Sequence, residues 1–133
     1  MIAECILCLA LNVYFEARAE DTASQLAVAQ VTMNRVKDPR YPNKVCKVVK
    51  QKNQFSWFWD GKSDKPYERK AWDQALDLAE RIIKEPDQYR VSCVSNSTHY
   101  HAVYVSPSWA KSFKKYCRVG SHIFYRDPLK GET

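Results

Sequence analysis

The feature that most restricts the fold is the periodicity of residues 3–18, where Ile6, Leu9, Ala10, Val13 and Ala17 recur at three- and four-residue steps and form one apolar helical stripe. Such a stripe is stable only against other apolar elements. Two follow. Residues 23–36 place Leu26, Ala29, Met33 and Val36 at helical spacing, and Ala71, Trp72, Ala75, Leu76, Ala79, Ile82 and Ile83 make the clearest helical stripe in the chain. Thr22-Ala-Ser-Gln25 reads as a capping box for the second helix, which should stop before Asp38-Pro39. Pro66 opens the third helix and Pro86 closes it, with Asp77/Arg81 and Glu80/Lys84 supporting its outer face.

Between these helices, Arg40–Phe58 reads as loop with a short apolar patch at Val45, Val48 and Val49. Towards the C-terminus the period changes to two. Tyr89–Val94 and Thr98–Val105 alternate, so a hairpin through Ser95-Asn96-Ser97 is expected, then a short helix over Trp109–Tyr116 and an extended piece at Ile123-Phe124-Tyr125 after Gly120. Helices first and a hairpin later give an α+β fold, mainly helical with a short β-hairpin. The 133 residues fit one domain, 1–133.

Charge and cysteines narrow the setting. The net charge of +6 comes mainly from Arg35–Lys70, with eleven bases against four acids, which attracts polyanions such as nucleic acid, anionic lipid or an acidic wall polymer. Cys5, Cys8, Cys46, Cys93 and Cys117 are an odd number, so at least one thiol stays unpaired in a monomer. Cys5 and Cys8 lie in an apolar helical run and read as buried structural thiols; Cys46, Cys93 and Cys117 leave one disulfide open. No apolar run approaches the roughly 20 residues that span a bilayer. The start carries Glu4 where a signal peptide carries a base, so no signal peptide is expected.

Three groups of residues could carry chemistry. Glu16 follows Val13-Tyr14-Phe15 at the end of an apolar helix, where desolvation raises a carboxyl pKa, and Glu20 would lie one turn on if the helix persisted. A carboxylic acid kept protonated at neutral pH is what a glycosidase uses to protonate a leaving sugar oxygen. His99 and His101 share one face of a strand, and with His122 they could chelate a metal, although no HExxH or paired CxxC supports that reading. Phe55, Trp57, Phe58 and Trp59 beside Gln54 and Ser56, with Tyr100, Tyr104, Trp109 and Tyr125, suit the faces and hydroxyl rims of sugar rings. No phosphate loop, nucleophile elbow or nucleic-acid module is present.

These residues also fall into an ordered motif series: Tyr14-Phe15-Glu16-Ala17-Arg18-Ala19-Glu20, the run from Gln25 to Val36, Tyr41-Pro42-Asn43 to Val49, Gln54-Phe55-Ser56-Trp57, Thr98-His99-Tyr100-His101, and Gly120-Ser121-His122-Ile123-Phe124-Tyr125. The series resembles the catalytic domain of SleB-like cell wall hydrolases, the spore-cortex-lytic enzyme family, in a phage endolysin-type form. The resemblance implies a small lysozyme-like, transglycosylase-type domain that cleaves the glycan strands of peptidoglycan. The motif's catalytic acid falls on Glu16, and its glycine is Ala19 here. Supporting or substrate-binding roles are expected for Glu20, Gln54, Phe55, Ser56, Tyr100, His101, Trp109, His122 and Tyr125, with no cofactor and no metal.

The resemblance further implies a monomer that acts on peptidoglycan, is attracted to anionic envelope polymers, and has neither a specific nucleic-acid partner nor a membrane span. It would be made in the cytoplasm and reach the wall after membrane permeabilisation during phage lysis. The competing readings are a metal-dependent wall amidase using His99, His101 and His122, and a non-catalytic basic binding module using Arg35–Lys70.

Overall fold

The computed structural model describes residues 2–51 and 68–129, so Gln54, Phe55, Ser56, the neighbouring aromatics and Pro66 lie outside the described residues. Helix α1 spans Ile2–Ala17 and buries Leu9, Ala10, Val13 and Ala17 of the expected stripe together with Tyr14, while Ile6 is half-buried. The chain leaves the helix there, with the Glu20 amide donating to the Ala17 carbonyl at 3.0 Å. Glu20 therefore does not stand one helical turn beyond Glu16.

Helix α2 (Thr22–Lys37) starts one residue earlier than the capping-box reading required. Asp21, not Thr22, is the cap: its carboxylate accepts from the Ser24 amide at 2.9 Å, and a negative charge at a helix start also suits the helix dipole. Gln25 is freed to turn inward, where its side-chain amide donates to the Ala17 carbonyl at 3.1 Å and satisfies the end of α1. The helix stops at Asp38, before Pro39. It is the central element, with Ala27, Val28, Ala29 and Val31 fully buried and Leu26, Met33 and Val36 half-buried.

The expected loop after α2 contains a short helix, α3 (Val45–Val49), because burying Val45, Val48 and Val49 together needs a helical turn. Helix α4 (Arg69–Lys84) lies against α1 through Ala75, Leu78, Ala79 and Ile82, and Trp72 meets the Tyr14 ring edge-on at 6.0 Å. The expected Asp77–Arg81 and Glu80–Lys84 pairs form at 2.9 and 2.8 Å; being exposed, they add little to stability.

The sheet corrects the hairpin. Residues 89–97 form turns rather than a strand, because helix side chains take their backbone groups: Gln30 accepts from the Val91 amide, and the Asn34 amide donates to the carbonyls of Ser95 and Ser97. The strands are β1 (His99–Ala102), β2 (Lys114–Val119) and β3 (His122–Arg126), antiparallel in the order β1-β3-β2. The hairpin is β2–β3, turning at Gly120 with φ of 57°. The helix expected over Trp109–Tyr116 shrinks to one 3-10 turn at Ser108–Lys111, and pairing with β3 draws Lys114–Tyr116 into strand.

Two disulfides form, one of them, Cys93–Cys117, among the pairings the sequence left open, and the other a correction of the reading of Cys8. Cys8 is not a thiol but bonds Cys46, joining α1 to α3; Cys93 bonds Cys117, joining the turns after α4 to β2; and Cys5 is free. Closing loops of 38 and 24 residues is worth about 3–4 kcal/mol each by loop entropy. The larger core lies among α1, α3 and α4, and a smaller one, with Val28, Val31, Val94 and Phe124, lies between α2 and the sheet.

Candidate active site

Glu16 occupies the last turn of α1, at the seam between these cores. The helix end is anchored by Tyr14, which is fully buried and whose hydroxyl accepts from the Glu68 amide at 2.9 Å. From β1, across 84 residues of sequence, the Tyr100 hydroxyl donates to Glu16 Oε1 at 2.6 Å. Burial raises the Glu16 pKa, and the Tyr100 hydrogen bond only partly opposes it. The negative end of the α1 dipole disfavours a carboxylate in the same sense. Glu16 is thus a carboxyl biased towards its protonated form.

Tyr100 is half-buried. Burial first, and then the Glu16 charge, push the phenol well above its ordinary pKa, so it remains a proton-bearing donor. Asn12, fully buried one helical turn before Glu16, acts on Tyr100 in the opposite direction through a hydrogen bond, and its Oδ1 accepts from Thr32 Oγ1 at 2.9 Å. Arg35, expected as part of a basic surface, is buried instead: its Nε donates to the Thr98 carbonyl at 2.7 Å and its guanidinium lies 5.1 Å from the Tyr41 ring centre.

His122 faces the same side of the sheet as Tyr100, its ring edge-on at 5.4 Å. Burial lowers its pKa more than the neighbouring Glu20 raises it, which keeps the imidazole neutral at neutral pH. Glu20 Oε1 lies 3.6 Å from His122 Nδ1 and accepts from the Ser121 amide at 3.1 Å. Glu20, His122, Tyr100 and Glu16 therefore form one continuous line of contacts.

Strand alternation sends His99, His101 and Tyr125 to the other face. There His101 Nε2 meets the Tyr125 hydroxyl at 3.0 Å, the two rings stack at 5.2 Å, and Trp109 packs against His99, His101, Phe113 and Tyr125. Burial, then Arg35 and Arg40, lower the His99 pKa to about 4. His122 lies across the sheet from His99 and His101, so the three imidazoles of the amidase reading do not converge.

The sequence pattern of the Cell Wall Hydrolase family matches residues 19–125. The chain belongs to this family. Among solved structures, the cell wall hydrolase resembles the catalytic domain of the germination-specific lytic transglycosylase SleB from Bacillus anthracis, at 27% identity and a TM-score of 0.71, over 92% of this chain and 93% of that one. It is also similar to the catalytic domain of the Bacillus cereus SleB protein, at 26% identity and a TM-score of 0.70, over 93% and 91% of the two chains. No curated protein matches. The lysozyme-like α+β expectation is borne out, and the non-catalytic binding module gives way to an enzyme.

The matched span of the cell wall hydrolase begins after Glu16, so the case for that residue rests on its motif and surroundings. The sequence reading did not single out two residues, Asn12 and Gly120, as parts of the site. Asn12 had a signal, a lone amide inside an apolar stripe four residues before Glu16. Gly120 had another: a Cβ there would collide with Ser24 Oγ and come within 3.2 Å of Glu20 Oε1.

Proposed function

We propose that the chain is a lytic transglycosylase that cuts peptidoglycan between N-acetylmuramic acid and N-acetylglucosamine, with Glu16 as the acid and then the base. The observation that carries this reading is the Tyr100–Glu16 hydrogen bond at a carboxyl whose pKa burial has raised. Tyr100 donates to Oε1, which leaves Oε2 to hold the transferable proton. Glu16 gives that proton to the glycosidic oxygen as the C1–O bond breaks. The resulting carboxylate, stabilised by Tyr100, takes the proton of the muramic C6 hydroxyl as that oxygen closes on C1 and forms a 1,6-anhydro end. Because the nucleophile is already attached to the sugar, one carboxyl serves both steps and no second carboxylate at glycosidase spacing is needed.

In this reading Tyr100 positions Glu16, and His122 and Glu20 hold Tyr100 from behind. Gln54, Phe55, Ser56, His101, Trp109 and Tyr125 remain candidates for contacts with the sugars. The chain acts as one monomeric catalytic domain on peptidoglycan, and its positive charge draws it to anionic envelope polymers. We place its synthesis in the cytoplasm and its action at the wall during phage lysis. Two disulfides suit the oxidising side of the membrane, and no helix among the described residues is long and apolar enough to cross one.

Glu16→Gln preserves shape and removes the titrating proton. It should slow turbidity loss of purified sacculi by about 10²–10⁴-fold, the usual worth of a general acid. Mass spectrometry of wild-type digests should show muropeptide ends one water lighter than hydrolysed ends. Full activity in Glu16→Gln would overturn the role of Glu16, and hydrated ends alone would overturn the transglycosylase step.

A further inference from the structure

A second site emerges where three cations from separate elements line one cavity. Lys37 ends α2, Arg90 lies in the turns after α4, and Arg126 ends β3; together with Asn34, Asp38 and Asn96 they border a cavity of about 270 Å³. Its one carboxylate is already engaged. Asp38 accepts from Arg40 Nε at 3.1 Å and Nη2 at 2.9 Å, and Arg126 Nη1 lies 3.7 Å from its Oδ2. The Arg40 hydrogen bond holds the Asp38 pKa below the ordinary carboxylate range, so this acid stays ionised and neutralised.

Among the described residues, Lys37 and Arg90 have no ion-pair partner, and both are exposed. Arg126 is nearly buried and forms the fixed floor, its Nη1 donating to the Asn96 carbonyl at 3.0 Å. The C-terminal end of α2 adds roughly half a negative charge, which Lys37 alone exceeds. The concavity therefore carries net positive charge, and converging like charges destabilise a fold unless an anion joins them.

We propose that this cavity is an anion subsite that takes a carboxylate of a peptidoglycan stem peptide while Glu16 acts on the glycan, an inference that rests on the transglycosylase reading. Strand β3 connects the two places. His122 at its start packs on Tyr100 and Arg126 at its end lines the cavity, four residue steps or roughly 13 Å apart. A polymer with a carboxylate-bearing peptide on each muramic sugar is long enough to span that separation. The cavity would thus read the stem peptide, whereas the line from Glu16 to Glu20 would read the glycan.

The test uses the Glu16→Gln chain, expected to bind while cutting far more slowly, on purified sacculi. Adding Lys37→Glu and Arg90→Glu should weaken sedimentation with sacculi about tenfold at low salt and flatten the salt dependence, while Lys37→Arg with Arg90→Lys should keep binding. The loss should persist on sacculi stripped of phosphate polymers with hydrofluoric acid. It should be absent on glycan strands freed of their peptides. In the otherwise wild-type chain, the double reversal should leave cleavage of peptide-free strands unchanged. Equal binding by the reversed and parent chains would overturn the subsite, as would a loss that disappears on stripped sacculi. Neither outcome touches the Glu16→Gln activity result, so the two readings fail separately.

Discussion

The two faces of the sheet use nearly the same side chains for different ends. On the inner face Tyr100 and His122 are enclosed against α1 and α2, and the tyrosine spends its hydroxyl on Glu16. On the outer face Tyr125 bonds His101 in a cluster closed by Trp109 and Phe113, with no carboxyl among its contacts in the described residues. Consecutive residues of one four-residue strand thus separate a line of contacts to an acid from an aromatic pack. Parity along the strand decides this assignment; residue type does not.

Tyr100→Phe should break the inner face most sharply. It removes the donor to Glu16 while keeping the ring, and losing one donor to a developing anion costs about 10²–10³ in kcat. The pH profile separates this role from simple packing. The hydrogen bond lowers the Glu16 pKa against the effect of burial, so removing it lets that pKa rise further. In the proposed mechanism the active form is the protonated one, so the alkaline limb of kcat should move to higher pH even as the maximum falls. A lowered rate with an unmoved limb would mean that Tyr100 does not act through Glu16.

Gly120→Ala should come next and act on stability. A Cβ at φ of 57° is strained, and it would collide with Ser24 Oγ on the buried start of α2. Strain and overpacking together predict a loss of about 2–4 kcal/mol in urea unfolding. Ser24→Gly in the same background should recover part of it. A neutral Gly120→Ala would show that the hairpin turn, and with it the Ser121 amide on Glu20, is not fixed by this contact.

Periodicity made the helices legible because α1, α2 and α4 each bury a stripe against a neighbour. It failed at Tyr89–Val94, where alternation suggested a strand but Gln30 and Asn34 supply the hydrogen bonds that a strand partner would have given. No local pattern contains that exchange, since the partners lie about sixty residues away. The Cys8–Cys46 disulfide was hidden for the same reason: Cys8 looked like one more apolar position of α1, and only the placement of α3 brings Cys46 to it with a Cα separation of 5.2 Å. Glu16 was readable from its own neighbours and motif. Its partner Tyr100 was readable as a candidate, but not as the residue that touches the carboxyl, because that depends on which strand face meets α1.

The smallest effect on catalysis is expected on the outer face, and it decides how far the active site extends. Trp109 touches four aromatic rings with centroids 5.1–5.7 Å away, yet it is only half-buried. Trp109→Ala should therefore cost about 1–2 kcal/mol, less than the 3–5 of a fully enclosed ring. If the outer cluster only packs, kcat and KM on sacculi should stay within about twofold of wild type, since neither Tyr100 nor Glu16 loses a contact, and the alkaline limb that Tyr100→Phe displaces should stay in place. If Trp109 and Tyr125 instead hold a sugar, KM should rise several-fold at unchanged kcat, which would carry the glycan path around the edge of β1 and join the two faces into one site.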